Sequence, residues 1–315
     1  MLHKLPALPT NLHWGFYDAS LPPVLRIRSG DVVEVETATG DVHVLEAAGA
    51  KRDEIPENLR RIPKELKERG PGPHVLTGPI FIDGAKKGDV LEVLLRQIRP
   101  ILPFGYNLFL PNLGTLPEDY PYERRRLIRF DLKRKLVKYS QGIKIPIRPF
   151  FGNLGVAPTE SLGRQSSTFP GPHGGNLDIK ELIAGTSLFL PVQASGGLFS
   201  IGDGHACQGD GEVDLTAAET CLQGTLKFRV RKEMKLKWPM AETRDKVITM
   251  GFHEDLDEAA RLATRNMIEY LEEHRGMDRD DAYVLSSLAV DLHISQLVNT
   301  LKGVHAVLPK SIFEA

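Results

Sequence analysis

The chain has 315 residues, 41% of them hydrophobic and 26% charged, a balance that supports a folded core and excludes an intrinsically disordered protein. Lys and Arg number 40 against 41 Asp and Glu, so no global field recruits nucleic acid or an anionic membrane. No apolar run reaches bilayer length, the proline-broken start MLHKLPALPTNLHW lacks a signal-peptide core, and only Cys207 and Cys221 occur, which together predict a reducing cytoplasm.

In chain order, Val24 to Arg28, Val32 to Glu36 and Val90 to Leu94 read as strands, the first two alternating apolar and polar residues. Turn signals follow at Ser29-Gly30-Asp31, Thr39-Gly40-Asp41 and Lys87-Gly88-Asp89. Pro56 to Gly70 has helix-forming composition broken by Pro63 and predicts a short surface helix or two. The basic stretch Arg124 to Leu132 places Ile128, Phe130 and Leu132 in alternation with Arg129 and Asp131. That pattern suits a strand with a solvated face, and no aromatic ladder accompanies it to stack bases. Strands are also expected at Leu188 to Val192 and Leu198 to Ile201.

Beyond Asp255 the period changes. Leu256, Ala259, Ala260, Leu262, Ala263, Met267 and Leu271 recur at helical spacing, with Asp255 or Asp257 to cap the start and Gly276 after the end. A second helix is expected after Asp278 or Asp280, and a third around Ile294 to Leu301. The prediction is one domain over 1–315: a mainly β body, sandwich- or barrel-like, over 1–250, and a helical tail over 251–315, α+β taken together.

Several signatures fail. His253-Glu254 has Asp257 where a zinc protease needs its second histidine, and Gly202-Asp203-Gly204 lacks the third glycine of a dinucleotide fingerprint. No GxSxG elbow or phosphate loop occurs. The concentrated chemistry lies between Gly171 and Glu219. His173, Asn176 and Asp178 share a glycine-rich turn, and Asp203 and His205, two apart, project from one face of an extended strand. Asp210, Glu212 and Asp214 repeat that spacing. One imidazole among several carboxylates suits a divalent cation of the zinc or manganese type, and carboxylates without the histidine suit calcium. Solvent-facing Asp-Gly turns are the commoner meaning of such a stretch, but the joint occurrence of these groups in one window weighs against it. An EF-hand does not fit, because Leu215 and Cys221 stand where Gly and Glu are required.

GPHGGNLDIKELIAGTSLFLPVQASGGLFSIGDGHACQGDGEVDLTAAET closely resembles the acetamidase/formamidase family. So do RPFFGNLGVAP, TGPIFIDGAKKGDVLEV and the C-terminal DAYVLSSLAVDLHISQLVNTLKGVHAVLPKSIF, in the same order along nearly the whole chain. Cys207 stands where that family is expected to carry a small residue such as alanine. The resemblance implies a β-rich fold with a helical tail, a cytoplasmic homo-oligomer and hydrolysis of short amides. It points to His173, Asn176, Asp178, Asp203, His205, Gln208, Asp210, Gly211, Glu212 and Glu219. Within that set we expect Asp178, Asp203, His205 and His173 to hold a divalent metal, zinc first, with calcium or manganese as alternatives. Glu212 or Glu219 would move protons, backbone N–H groups of the glycine turns or Asn176 would hold the oxyanion, and Gly175, Gln208 and Gly211 would bind substrate. The expected substrate is a formamide- or acetamide-sized amide in a tight pocket, with a steep fall in rate by butyramide. Two other readings stand beside this one: a thiol amidase using Cys207, and a non-catalytic module that binds metal or a polar ligand.

Overall fold

The computed structural model describes residues 1–39 and 42–313. The expected turn at Thr39-Gly40-Asp41 therefore lies partly outside the described residues. Alternation works where it is clear: Val32–Glu36 is a strand whose Val33 and Val35 are buried while its other three residues are half-buried. Leu25–Arg28 and Val90–Pro100 are strands too, the latter longer than its apolar run. Pro56 to Gly70 holds a helix, Glu57–Glu65, with Pro63 inside and Leu59 and Ile62 buried. A short helix at Val42–Ala47 was not expected. Arg124–Asp131 is a strand, with Ile128 and Phe130 buried against Val137 and Arg129 donating to both carboxylate oxygens of Glu54 at 2.6 and 2.9 Å. Its exposed basic face is thus partly neutralised within the chain, as the solvated-strand reading requires.

Two large sheets make the body. One has nine strands, with Leu222–Arg231 and Val90–Pro100 side by side near its middle. The other has six and runs Gly174–Asn176, Phe150–Gly155, Phe199–His205, Val75–Asp83, Leu12–Trp14, with Leu25–Arg28 paired to Val75–Asp83. One apolar cluster joins Val33, Leu91, Val93 and Phe228 of the first to Ile80, Phe151, Phe199 and Ile201 of the second. The two sheets therefore pack face to face, the sandwich arrangement that alternating inward residues produce. A four-stranded sheet, from Ile143–Pro146 to Phe104–Phe109, stands beside them.

The tail follows prediction for two helices and departs from it at the third. Leu256–Arg275 is capped by Asp255, whose side chain accepts from Glu258 N, and ends at Gly276 in the left-handed conformation. Its Ala259, Ala263, Met267 and Leu271 bury against Val304, Ala306 and Leu308. Arg279–Ala289 is capped by Asp278. Residues 294–301 are not helical. Asp291–Gln296 is a strand that pairs with Lys302–Pro309, and the latter pairs with Lys246–His253. Ile294, Val298 and Leu301 have helical spacing, but Ser295 and Gln296 between them are fully buried, which a one-sided helix would not allow. The stretch 251–315 is consequently helix and sheet together, and its hairpin forms one edge of the nine-stranded sheet.

Candidate active site

The site forms at one end of the six-stranded sheet. His205 closes the strand Phe199–His205 opposite Phe150, whose ring meets the imidazole edge-on at 5.0 Å. Just past Gly174–Asn176 the chain folds over Gly152, whose carbonyl accepts from Leu177 N at 2.8 Å and Asp178 N at 3.3 Å. That turn suspends the Asp178 carboxylate above the sheet. Glu219 is pinned by bridges to both His205 and Tyr106. Three of the acids sit on left-handed backbone, Asp178 at φ 48°, Asp203 at φ 57° and Glu212 at φ 46°. Such φ values cost a residue with a Cβ roughly 1–2 kcal/mol each, and this local strain is concentrated where the chemistry is.

Asp203 and His205 do meet, with Oδ1 of Asp203 3.4 Å from Nε2 of His205, but through a kink at Asp203 and not through plain pleating. Glu219 Oε1 lies 3.2 Å from the same nitrogen. Donor atoms of Asp178, His205 and Glu212 fall within 4.8 Å of one another, as do those of Asp203, His205 and Glu219, so one imidazole is shared by two carboxylate pairs. Asp210 and Asp214 leave this group. Asp210 accepts from Lys180 at 2.6 Å and lies 3.0 Å from His293, while Asp214 accepts from Asn107 at 3.1 Å. The same-face expectation for Asp210, Glu212 and Asp214 is corrected accordingly: Gly211, at φ 93°, and Glu212 turn the chain, and only Glu212 points inward.

Gln208 sets the tautomer of His205. Its Nε2 donates to the carbonyls of Asp178 at 2.9 Å and Ser295 at 3.2 Å, so its Oε1, 2.9 Å from His205 Nδ1, must accept. Nδ1 therefore carries the hydrogen, and Nε2 faces the carboxylates. Although two carboxylate oxygens are near, Nε2 has no aligned hydrogen-bond partner, and neither oxygen of Asp178 receives a hydrogen bond. One ring nitrogen and two carboxylate oxygens without hydrogen-bond partners converge in a buried space, and in their deprotonated forms they suit a divalent cation by donor type.

The electrostatics agree. Burial pushes Asp178 and Glu212 well above the ordinary carboxylate range, and neighbouring carboxylates add to it. Burial also raises Glu219, against the pull of His205. Burial alone would raise Asp203, but His74, 3.8 Å away, and His205 hold it low. Burial opposes charge on His205, yet Glu219 and Asp203 carry it well above the usual imidazole value. Without a cation the buried cluster thus favours the protonated forms of Asp178, Glu212 and His205. Metal binding is therefore expected to release protons and to tighten as pH rises through these raised values. Calorimetric titration in buffers of different ionisation heat reads this directly, and a buffer-independent heat would contradict it. The sign for stability is opposite in metal-free protein. Carboxyls raised in the folded state contribute below their unfolded pKa, and that contribution is lost as pH climbs through the raised values.

The remaining expected residues lie around this cluster. Asn176 lines the same cleft, its Oδ1 accepting from Asn153 at 2.5 Å. His173 stands outside both donor groups. It packs edge-on to Tyr17 at 5.2 Å, and burial depresses its pKa to about 4. Gly175 lies in the strand beside Leu154, and the Gly211 N–H donates to Ile294 O at 2.8 Å. Cys207 packs against the cluster of Ile128, Phe130, Val137, Ala206 and Ala218, and burial raises its thiol pKa, which keeps it protonated. Sequence reasoning missed His74, Asn153 and Gly152. The last two lie within RPFFGNLGVAP, so a glycine and an amide in that segment were the available signal.

Buried acids around one imidazole, opening on a cleft, can hold a cation and move protons at a bound water, as a hydrolytic site must. Taken with its relatives, the chain is an amidohydrolase. It belongs to the acetamidase/formamidase family, whose model matches residues 9–169 and 164–315. The solved acetamidase from Bacillus halodurans is 32% identical, with a TM-score of 0.85 and 98% of each chain covered. That from Yersinia enterocolitica is 31% identical, with a TM-score of 0.86, covering 100% of this chain and 94% of its own. The formamidase of Methylophilus methylotrophus is 30% identical over 167 residues, which is 46% of this chain and 41% of that protein.

Proposed function

We propose that the chain hydrolyses linear primary amides, formamide and acetamide among them, to a carboxylate and ammonia with the help of one divalent cation, zinc first. Asp178, Asp203 and His205 would hold the ion. When bound, it would polarise the amide carbonyl and make water acidic near neutral pH. The observation that carries this reading is the convergence of both Asp178 oxygens and His205 Nε2, all without hydrogen-bond partners, in a member of an amidase family.

The chain's own groups supply the rest. Asn176 has its Oδ1 engaged by Asn153, so its amide N–H groups are what it offers to the cleft, suited to an oxygen gaining charge. Glu219 Oε1 accepts from Ala217 N at 2.9 Å and stays fixed beside His205. Burial raises the Glu212 carboxyl, which suits it to hand a proton to the departing nitrogen. Water adds its oxygen to the carbonyl carbon, the C–N bond breaks with its electron pair on nitrogen, and Glu212 or Glu219 relays the proton from water to that nitrogen.

The same reading makes the enzyme a cytoplasmic homo-oligomer of single-domain chains. Among the described residues no helix is long and apolar enough to cross a membrane. The test is ammonia release from formamide and acetamide by protein of measured metal content, before and after chelation. Full activity in metal-free protein overturns the metal role. Cys207→Ala should keep most of the activity, because the thiol is packed and protonated. A collapse of kcat with metal still bound would favour thiol chemistry.

A further inference from the structure

The cleft over the carboxylates has a volume of about 640 Å³. That is the size of sites that take drug-like ligands, about 300–1,000 Å³, and far exceeds the few heavy atoms of acetamide. It is not the tight pocket expected for a one- or two-carbon substrate. Asn176, Asp178, Asp203, Glu212 and Glu219 are the polar residues at its reacting end, and Arg69, His74 and several threonines also line it. Much of the remaining lining is apolar: Trp14, Val75, Tyr106, Leu108, Leu110 and Leu113. Trp14, Val75 and Tyr106 are buried in one packed cluster with Leu108 against it, and the Arg69 guanidinium stacks on the Trp14 ring. Leu110 and Leu113 extend this wall, and Leu113 is 45% exposed. A polar end that performs the reaction, continued by an apolar wall that does not, is the arrangement that binds a substrate by its unreactive part.

Resting on the amide-hydrolase reading above, we infer that the preferred substrates are primary amides with an apolar acyl group, about four to eight carbons long or aromatic, which lies along the Trp14–Leu108–Leu113 wall. Formamide and acetamide are then the smallest members of the range. Each methylene taken from water against this wall is expected to raise kcat/KM up to about fourfold, so hexanamide should exceed acetamide by on the order of 10²-fold.

The experiment measures kcat/KM for formamide, acetamide, butyramide, hexanamide and benzamide with metal-loaded enzyme. It then repeats the series with Leu113→Asn, at an exposed position where folding is not at stake, and with Leu108→Asn. A rise from acetamide to hexanamide, and a hexanamide-to-acetamide ratio that drops at least tenfold in either variant that remains folded, support the inference. Fastest turnover of formamide or acetamide with a fall by butyramide overturns it and leaves amide hydrolysis standing. A ratio unchanged in Leu113→Asn and in folded Leu108→Asn overturns the assigned wall. Ammonia from none of the amides overturns the hydrolase reading and this inference together.

Discussion

His205→Ala is expected to reduce amide hydrolysis by on the order of 10³-fold, beyond the roughly 10–100-fold that losing a partner behind a ligand costs. The reason is geometric. This one imidazole lies within reach of four carboxylates, so its removal dismantles both donor groups at once. Asp203 and Glu219 would lose their nearest cationic partner and take up protons, and metal content should fall with activity. Gln208→Ala, which frees the tautomer but keeps the ligand, should fall in the 10–100-fold range. His43→Ala and His274→Ala are the controls: the first side chain is 71% exposed on a surface helix, and the second stacks on Tyr270. Equal losses at all three histidines, with unchanged circular dichroism, would move the site elsewhere.

Gly152→Ala should be nearly as damaging, although residue 152 carries no chemistry. A Cβ there would come within 3 Å of carboxylate oxygens of both Asp178 and Asp203 and would touch the His205 ring. The backbone at 152 cannot retreat, because its carbonyl holds the Asp178 turn in place. The side chains must move instead, and displacement of about 1 Å at a reacting centre costs about 10²-fold. Loss of metal and activity with the thermal midpoint little changed is the expected pair of results. Wild-type activity in Gly152→Ala would show that the carboxylates need not stand where they do.

The strands and both capped helices were legible because each carries a periodic pattern that local sterics and burial enforce. The window from Gly171 to Glu219 was legible for a different reason: unusual residue types crowd together there. What stayed hidden arises from long-range contact. His74 reaches Asp203 only because Val75–Asp83 pairs with Phe199–His205, and nothing near His74 in sequence announces that. Gly152 looks like any strand glycine until two acids from elsewhere arrive above it. The hairpin at 291–309 was misread because three apolar residues mimic a helical stripe, and only the burial of the polar residues between them separates the two cases. Asp210 and Asp214 were misplaced because the two-residue period holds only while the backbone stays extended, and Gly211 ends that.

The clamp on Gln208 adds a requirement in time. Every acid of the cluster, and His205 itself, has been synthesised once residue 219 is made, yet the Ser295 carbonyl that fixes Gln208 and the Ile294 carbonyl that holds Gly211 come from the strand Asp291–Gln296. A nascent chain therefore carries its reactive groups for some seventy residues of synthesis (at roughly 5–20 residues per second) before the part that orients them exists. The site is completed only when the last hairpin, Asp291–Gln296 with Lys302–Pro309, folds back onto the body.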